Sequence, residues 1–456
     1  MQRAGDGAPT VQHDPHGAAA NERLRNAKIG AAIRDLNWSD LRVAGPGIDR
    51  RRRGNADFFK DARAMSTVIV VGAGPVGLLT ALGLARQDID VTILDAEPGI
   101  IRSPRAAVYF HTTLNVLARL GLLEEAEAIG LKNAEFCMHF RATGEFIRAN
   151  LADLSEPGQK YPYQLHFGQH LLADLVMRHL ARLPGTRVLW NHRLTGLAQD
   201  AHHVSLQIET PSGATRMTAD WVVGADGARS TVRQLLDLGF DGHTWPDRFV
   251  ATNIEYDFSR YGYADANAVV DPVNWAVVAR LGRENLWRVT YGEDANLDER
   301  TILERLPARF AAILPAPEPY RIDNFSPYRV HERCAARFRV GRVLLAGDAA
   351  HACNPCGGLG LTGGVIDADA LSSVLAAVIR GRAGEAALDF YAQERRRVFL
   401  EVTSPLASDF KRQFMEPDPR RVAADRQAFI DSIHHTGPAV RAGSLSKLLL
   451  GRPMPV

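Results

Sequence analysis

The sequence predicts an α/β fold: an open sheet of buried strands separated by helices, a second β-rich segment later in the chain, and a closing run of helices. Three observations carry this. The apolar run Thr67 to Val71 passes through a glycine turn directly into the Leu/Ala-rich "PVGLLTALGLARQ", a strand–turn–helix pattern. A second buried run, "IDVTILDAE", follows and ends in acids. Residues 248–292 instead hold alternating, aromatic-containing runs such as "WAVVARLG" and "LWRVTYG", typical of an antiparallel sheet.

The chain has 456 residues, 46% hydrophobic and 23% charged, with a formal net charge of +2. That is an ordinary globular profile without the basic footprint of a nucleic-acid binder. Residues 1–64 are rich in Gly, Ala, Arg and Pro and carry 12 Lys+Arg against 8 Asp+Glu. They read as an extension outside the fold, which begins at Met65. No apolar signal segment opens the chain, so cytoplasmic placement is expected. Ser66 to Ala85 is 20 residues without a charge, about the length of a membrane span. Gly72, Gly74, Pro75 and Gly77 fall in its middle, so a strand, a turn and a buried helix are expected, and no membrane span. "HTTLNVLARLGLLEEAEAIG" reads as helical, with Leu114, Leu117 and Leu120 on one face, and "GQHLLADLVMRHLARLP" as a second amphipathic helix. Strand-like pieces fill 186–224, a strand returns at 341–348, and helices follow to about residue 435.

Three segments carry chemistry. The first is Gly72-x-Gly74-x-x-Gly77, set between an apolar strand and an apolar helix, with Asp95 18 residues after Gly77. In a dinucleotide-binding unit the glycines serve a tight turn, close backbone approach to the pyrophosphate, and helix packing. The helix N-terminus faces the phosphates, and the acid accepts from a ribose. Glu97 is the alternative acid. The second is "DWVVGADGARSTVR", where a buried strand delivers Asp226 to its carboxyl end. That position faces the ligand crevice of an open α/β sheet, although a helix cap would explain it as well. The third is "RVLLAGDAAHACNPCGGLGLTGGVIDADAL", with Asp348 at a strand end and glycines at 357, 358, 360, 363 and 364 before a helix expected near Val365. Such a loop can aim backbone N–H groups at an anionic ring edge.

In this order the three segments resemble the flavoprotein aromatic hydroxylases of the para-hydroxybenzoate hydroxylase type, over about Thr67 to Pro405. The resemblance implies a Rossmann-like FAD-binding domain of glutathione-reductase type, made of 66–240 and 331–405. It also implies a mixed β-sheet substrate domain over 241–330 and a helical C-terminal segment over 406–456. Gly72, Gly74, Pro75, Val76, Gly77, Asp95 and Ala96 would hold the ADP part of FAD. Asp226 would serve FAD and the pyridine nucleotide, Asp348 the ribose or ribityl region, and Gly360, Leu361 and Thr362 the flavin's pyrimidine edge. Arg105 and Gln169 look like the family's FAD-contacting arginine and glutamine. Asn354 and Pro355 stand where two prolines are frequent, Leu361 and Thr362 where Met and Asn are common, and Ala370 where Asn is common.

The implied reaction is a monooxygenation. NAD(P)H reduces FAD, O₂ adds at the flavin C4a position, and the hydroperoxide hydroxylates an aromatic or phenolic small molecule, polyketide-like ones included. Expected partners are a small aromatic substrate and O₂, in a monomer or homodimer. No catalytic side chain can be named. Pro355, Cys356, Trp275 and Arg288 are candidate substrate contacts. His166 and Tyr163 are further candidates, and Trp287 and Tyr291 could join Trp275 in an aromatic cavity or simply form core.

Four readings compete for Cys353 and Cys356. A zinc site needs two further ligands, and Cys137 and Cys334 form no second pair, so no metal is expected. A thioredoxin-type dithiol needs a helix starting at the cysteines, and "GGLGLTGG" is a poor helix start. An FAD-dependent dithiol reductase normally carries a second dinucleotide motif. Gly358-x-Gly360-x-x-Gly363 matches that pattern formally but has no apolar strand running directly into it. Two neutral cysteines in a flavin-facing loop remain. For the whole chain, a halogenase or a non-catalytic escort module of the same fold competes with the monooxygenase. The first should show a Trp-x-Trp pair, which is absent, and the second has no need of Asp226 and Asp348.

Overall fold

The computed structural model describes residues 67–155, 159–282, 285–434 and 447–456. The expected N-terminal extension lies outside the described residues. The first strand, Thr67–Val71, lies in the interior of a six-stranded sheet. Its neighbours are Asp90–Leu94, then Thr186–Leu189 on one side, and Trp221–Gly224, Val343–Leu345 and Arg339–Val340 on the other. All pairings are parallel except the last. Val70 pairs with Ile93 and Val223, and all three are fully buried. A parallel sheet covered on both faces requires such continuous apolar runs. The helix Pro75–Ala85 is buried along nearly its whole length. Over its described part, 67–85, the uncharged stretch is thus strand, turn and core helix. The one long apolar helix among the described residues, Leu359–Ile379, is likewise largely buried within the protein.

The second sheet has eight strands and is mixed. In order they are His351–Ala352, Arg321–Ala335, Phe240–Glu255, Leu286–Asp294, Ala276–Arg280, Ala266–Val270, Glu135–Phe140 and Glu145–Asn150. Only Ala266–Val270 against Glu135–Phe140 is parallel. Period-two alternation sorts its residues onto two faces. Val250, Ile254, Trp287, Val289 and Tyr291 pack against the helix Ile302–Ile313. Phe249, Trp275 and Val330 face the other way, where Cys356 and Phe414 complete a small apolar cluster. That alternation decides which side chains can reach a ligand.

The predicted helix over 111–130 is two helices, His111–Arg119 and Leu123–Ile129, broken at Gly121 where φ is +55°. The closing helices are Ala386–Val398, Ser404–Phe414 and Pro419–Ile433. A buried ion network ties this end to the rest. Asp367 accepts from His351 Nε2 and from Arg395 Nε, both at 2.6 Å, and from the Gly347 N–H at 3.0 Å. Arg395 also donates to the Leu449 carbonyl.

Candidate active site

At the first turn, Gly72 has φ +108°, and a Cβ there would lie 2.3 Å from the Ala225 carbonyl oxygen. A Cβ on Gly77 would lie 2.0 Å from the Gly72 carbonyl oxygen, so helix and turn meet with no room for a side chain. Above Gly74 there is open space. Gly74 is the N-cap of the helix that starts at Pro75, and no side chain caps it. Its first-turn N–H groups are therefore left for a ligand, with the positive end of the helix dipole behind them. Asp95 accepts from the Ala73 N–H at 2.7 Å and from the Glu97 N–H at 2.8 Å. Each oxygen keeps a lone pair, and Ala96 is half-buried while Glu97 is exposed. Val76 packs under Gly347 and Gly364 and so joins this turn to the loop after Asp348.

Asp226 is a helix cap. Its carboxylate accepts from the N–H groups of Thr231 and Val232, at 2.7 and 3.1 Å, and from Ser230 Oγ. Burial pushes its carboxyl above the usual Asp range while these bonds pull it back. It shapes the segment rather than presenting a free acid. Arg233, which no sequence pattern marks, does comparable work here. It is buried, bonds the Ala349 and Ala228 carbonyls, and so locks this segment to the Asp348 turn.

Asp348 sits on the short turn Gly347–Ala349. Its side chain is open to solvent, yet protein surrounds it closely enough to push its carboxyl upward, against the pull of His351 and Arg105. An acid that is accessible yet closely surrounded by protein is placed to meet a ligand. Arg105 is exposed and close enough to act on the Asp348 carboxyl, and Gln169 opens the helix Gln169–Leu180 with its N–H on the Ala106 carbonyl.

Downstream, Gly357 and Gly358 turn the chain with φ of +81° and +67°. The helix then begins at Leu359, six residues before the expected Val365. The glycines make the sequence look unable to start a helix. Burial of this helix against the core outweighs their propensity cost of about 1 kcal/mol each. Its N-cap, Gly358, again has no side-chain cap. Gly360 and Leu361 keep N–H groups without intrahelical partners, whereas Thr362 is the first that can return its N–H to Gly358. The Thr362 hydroxyl is also spent, on the Gly358 carbonyl at 2.9 Å. Two uncapped helix ends and an accessible acid between them fit a long anionic cofactor with a flat, polar-edged ring.

The cysteine loop is held from the second sheet. Glu332 Oε2 accepts from Asn354 Nδ2 at 3.0 Å and from its N–H at 3.4 Å, and Asn354 Oδ1 accepts from the Cys356 N–H at 3.0 Å. Glu332 Oε1 is buried without a partner. Pro355 is half-buried beside them. Burial pushes the Cys356 thiol up to about 12 and the Cys353 thiol well above its usual range. A prompt helix does follow the cysteines, contrary to expectation, but it does not produce a reactive thiolate. Cys137 and Cys334 are buried and free. No cluster of three or more metal-binding side chains occurs among the described residues.

Cys356 and Trp275 come together with Phe249, Val330 and Phe414 in one cluster, with Tyr328 at its edge. Arg288 lies on the same sheet face. Trp287 and Tyr291 do not, because they belong to the helix-facing side. His166 and Tyr163 are structural. His166 is fully buried between the Arg280 carbonyl, Gln164 and Asn133, and burial drives its imidazole down to about 4. The Tyr163 hydroxyl donates to Glu127.

The family model described as "FAD binding domain" matches residues 65–404. The chain belongs to this family. It is an FAD-dependent aromatic monooxygenase, with FAD as cofactor and NAD(P)H and O₂ as co-substrates. It is 49% identical over 369 residues to a para-nitrophenol 4-monooxygenase of a Pseudomonas species, covering 79% of this chain and 90% of that one. It is 43% identical over 353 residues to the 6-hydroxy-3-succinoylpyridine 3-monooxygenase HspB of Pseudomonas putida, covering 77% and 90%. The crystal structure of the p-nitrophenol 4-monooxygenase PnpA from Pseudomonas putida superposes with a TM-score of 0.80 at 44% identity, covering 85% of this chain and all of that one. An aklavinone-11 hydroxylase solved with FAD and aklavinone matches with a TM-score of 0.70 at 26% identity, covering 84% and 72%.

Proposed function

We propose that this monooxygenase oxygenates a small hydroxyarene at the ring carbon para to the hydroxyl, where an electron-withdrawing substituent already stands. The carrying observation is that the names of the two relatives agree in chemistry. Position 4 of para-nitrophenol and position 3 of a 6-hydroxy-3-acylpyridine are both para to the hydroxyl and both substituted. An ionised hydroxyl feeds electron density to that carbon. With a nitro substituent, one atom of O₂ bonds to the ring carbon and the C–N bond breaks with its electron pair leaving as nitrite. The phenolate oxygen becomes the second carbonyl of a quinone. The other oxygen atom leaves as water, and NAD(P)H supplies the two electrons.

In this proposal Gly72, Gly74, Pro75, Val76, Gly77, Asp95 and Ala96 surround the ADP part of FAD. Asp348, Arg105 and Gln169 flank its middle, Asp226 shapes the neighbouring segment, and Gly360 and Leu361 donate to the ring edge. FAD bound there supplies the oxygen-activating chemistry. The protein's part is to seat the substrate on the apolar wall of Phe249, Trp275, Tyr328, Pro355 and Cys356 and to keep water out. The domain division of 66–240 with 331–405, 241–330, and 406–456, cytoplasmic placement, and a monomer or homodimer belong to the same proposal. The test is NAD(P)H oxidation by the FAD-loaded enzyme with 4-nitrophenol, 3-nitrophenol and unsubstituted phenol. Nitrite release from the para isomer alone is expected. Equal turnover of the meta isomer overturns the positional claim.

A further inference from the structure

The monooxygenase buries a cation that the fold leaves without a counter-ion. Arg288 is 7% exposed, and no carboxylate lies within ion-pair distance of it among the described residues. Its described acceptors are neutral: Nε donates to Asn253 Oδ1 at 2.9 Å and Nη1 to the Arg105 carbonyl. Desolvation pulls its pKa down to about 10, against the opposing effects of Tyr328 and Tyr109. Of the other buried arginines, Arg248 meets Glu293 and Arg395 meets Asp367, while Arg233 bonds carbonyls but lies within the field of Asp226 and over the Phe240 ring. Beside Arg288, Tyr109 is 1% exposed and its hydroxyl has no hydrogen-bond partner. Its ring is fixed by stacking on Phe167, with centroids 4.3 Å apart. The titratable groups that feel Arg288 are Tyr109, Tyr328 and His170, and Tyr328 also feels Arg105. None is a carboxylate. A buried unpaired guanidinium and a buried unpaired hydroxyl are each costly, and one anionic oxygen placed between them satisfies both.

We propose that Arg288 and Tyr109 form an oxyanion site that binds the ionised ring hydroxyl of the substrate, so that the enzyme selects the phenolate over the neutral phenol. This rests on the hydroxyarene reading above. The site holds the oxygen on the sheet face shared with Tyr328 and Asn253, and it favours the form of the ring that is electron-rich at the para carbon.

The test is calorimetric titration of the oxidised, FAD-loaded enzyme without NAD(P)H, using 4-nitrophenol above its pKa and 4-nitroaniline, a neutral near-isostere. Wild type should prefer the phenolate. Arg288→Met should weaken phenolate binding by about 30-fold or more, the loss expected when one partner of a buried charged pair is truncated, and 4-nitroaniline by less than about threefold. Tyr109→Phe should weaken the phenolate by about tenfold or more, one hydrogen bond to a charged acceptor. Equal losses for both ligands, or none, overturn the site. Should Arg288→Met fail to hold FAD, Arg288→Gln and Tyr109→Phe carry the same comparison. A wild type that binds neither nitro compound fails the substrate reading instead. Titration with pentafluorophenolate against pentafluoroaniline then decides the oxyanion site, which stands only if the anion is preferred and the Arg288 variant abolishes the preference.

Discussion

Replacing Asn354 by alanine tests how the cysteine loop is held. Asn354 is fully buried, and Glu332 is 6% exposed with only one of its oxygens hydrogen-bonded. Asn354→Ala removes both side-chain bonds of the amide and leaves the buried carboxylate only the longer bond from the residue's own N–H, at 3.4 Å, which should cost about 3 kcal/mol. Glu332→Ala leaves the buried amide unsatisfied but also removes an unpartnered oxygen, so its cost should be smaller, about 2 kcal/mol. The double variant loses both groups together and should be no less stable than Asn354→Ala, giving a coupling of about 2 kcal/mol. Urea unfolding at a fixed FAD concentration measures all four corners of the cycle, since bound cofactor shifts apparent stability. Costs that add within about 0.5 kcal/mol, or an Asn354→Ala cost below about 1 kcal/mol, would show that the Glu332–Asn354 pair does not organise the loop.

Three further outcomes are expected. The double variant Cys353→Ser with Cys356→Ser should keep FAD and at least about a tenth of the turnover, because the cofactor carries the chemistry; loss of turnover with flavin still bound would restore a thiol role. Asp367→Asn should destabilise by about 3–5 kcal/mol by stranding His351 and Arg395, read by thermal unfolding. Burial alone would raise the Asp367 carboxyl, but His351 and Arg395 hold it well below the usual range. Its stabilisation is therefore complete above about pH 4 and lost as pH falls below it, and the gap between wild type and Asp367→Asn should narrow over that window. His166 works over a different window. Its folded value of about 4 lies below the unfolded value of about 6.5, so the unfolded chain binds the extra proton. Stability should fall by up to about 3 kcal/mol as pH drops from about 6.5 to 4, and His166→Gln should flatten that slope.

Much of the nucleotide end was legible because glycines there answer to backbone geometry alone. Gly72 and Gly77 can be read from spacing, since only a strand, a tight turn and a close-packed helix accommodate them. Asp226 shows the limit of that reasoning: a strand-end acid looks the same in sequence whether it meets a ligand or caps a helix. The start of the helix at Leu359 is hidden from a local reading because propensity opposes it and only tertiary burial favours it. Of the aromatics, Trp275 faces the cluster containing Cys356 while Trp287 and Tyr291 face the helix Ile302–Ile313. Strand parity separates Trp287 and Tyr291 from Arg288, but which parity faces inward needs the sheet order. Tyr109, Tyr328 and Asn253 belong to three different segments, and nothing local marks any of them. Asn253 and Tyr328 reach Arg288 through the order of the second sheet, and Tyr109 comes from the short strand Val108–Tyr109 outside that sheet.

In the proposed reaction this monooxygenase puts an atom of O₂ on the substituted para carbon of a hydroxyarene. Single turnover of the FAD-loaded enzyme with 4-nitrophenol and NAD(P)H under isotopically labelled O₂, with the quinone reduced at once to hydroquinone, tests it directly. One labelled oxygen per product molecule and one nitrite per NAD(P)H are predicted. Nitro-retaining catechol, or NAD(P)H oxidation that yields only hydrogen peroxide, would rule out oxygenation at the substituted para carbon.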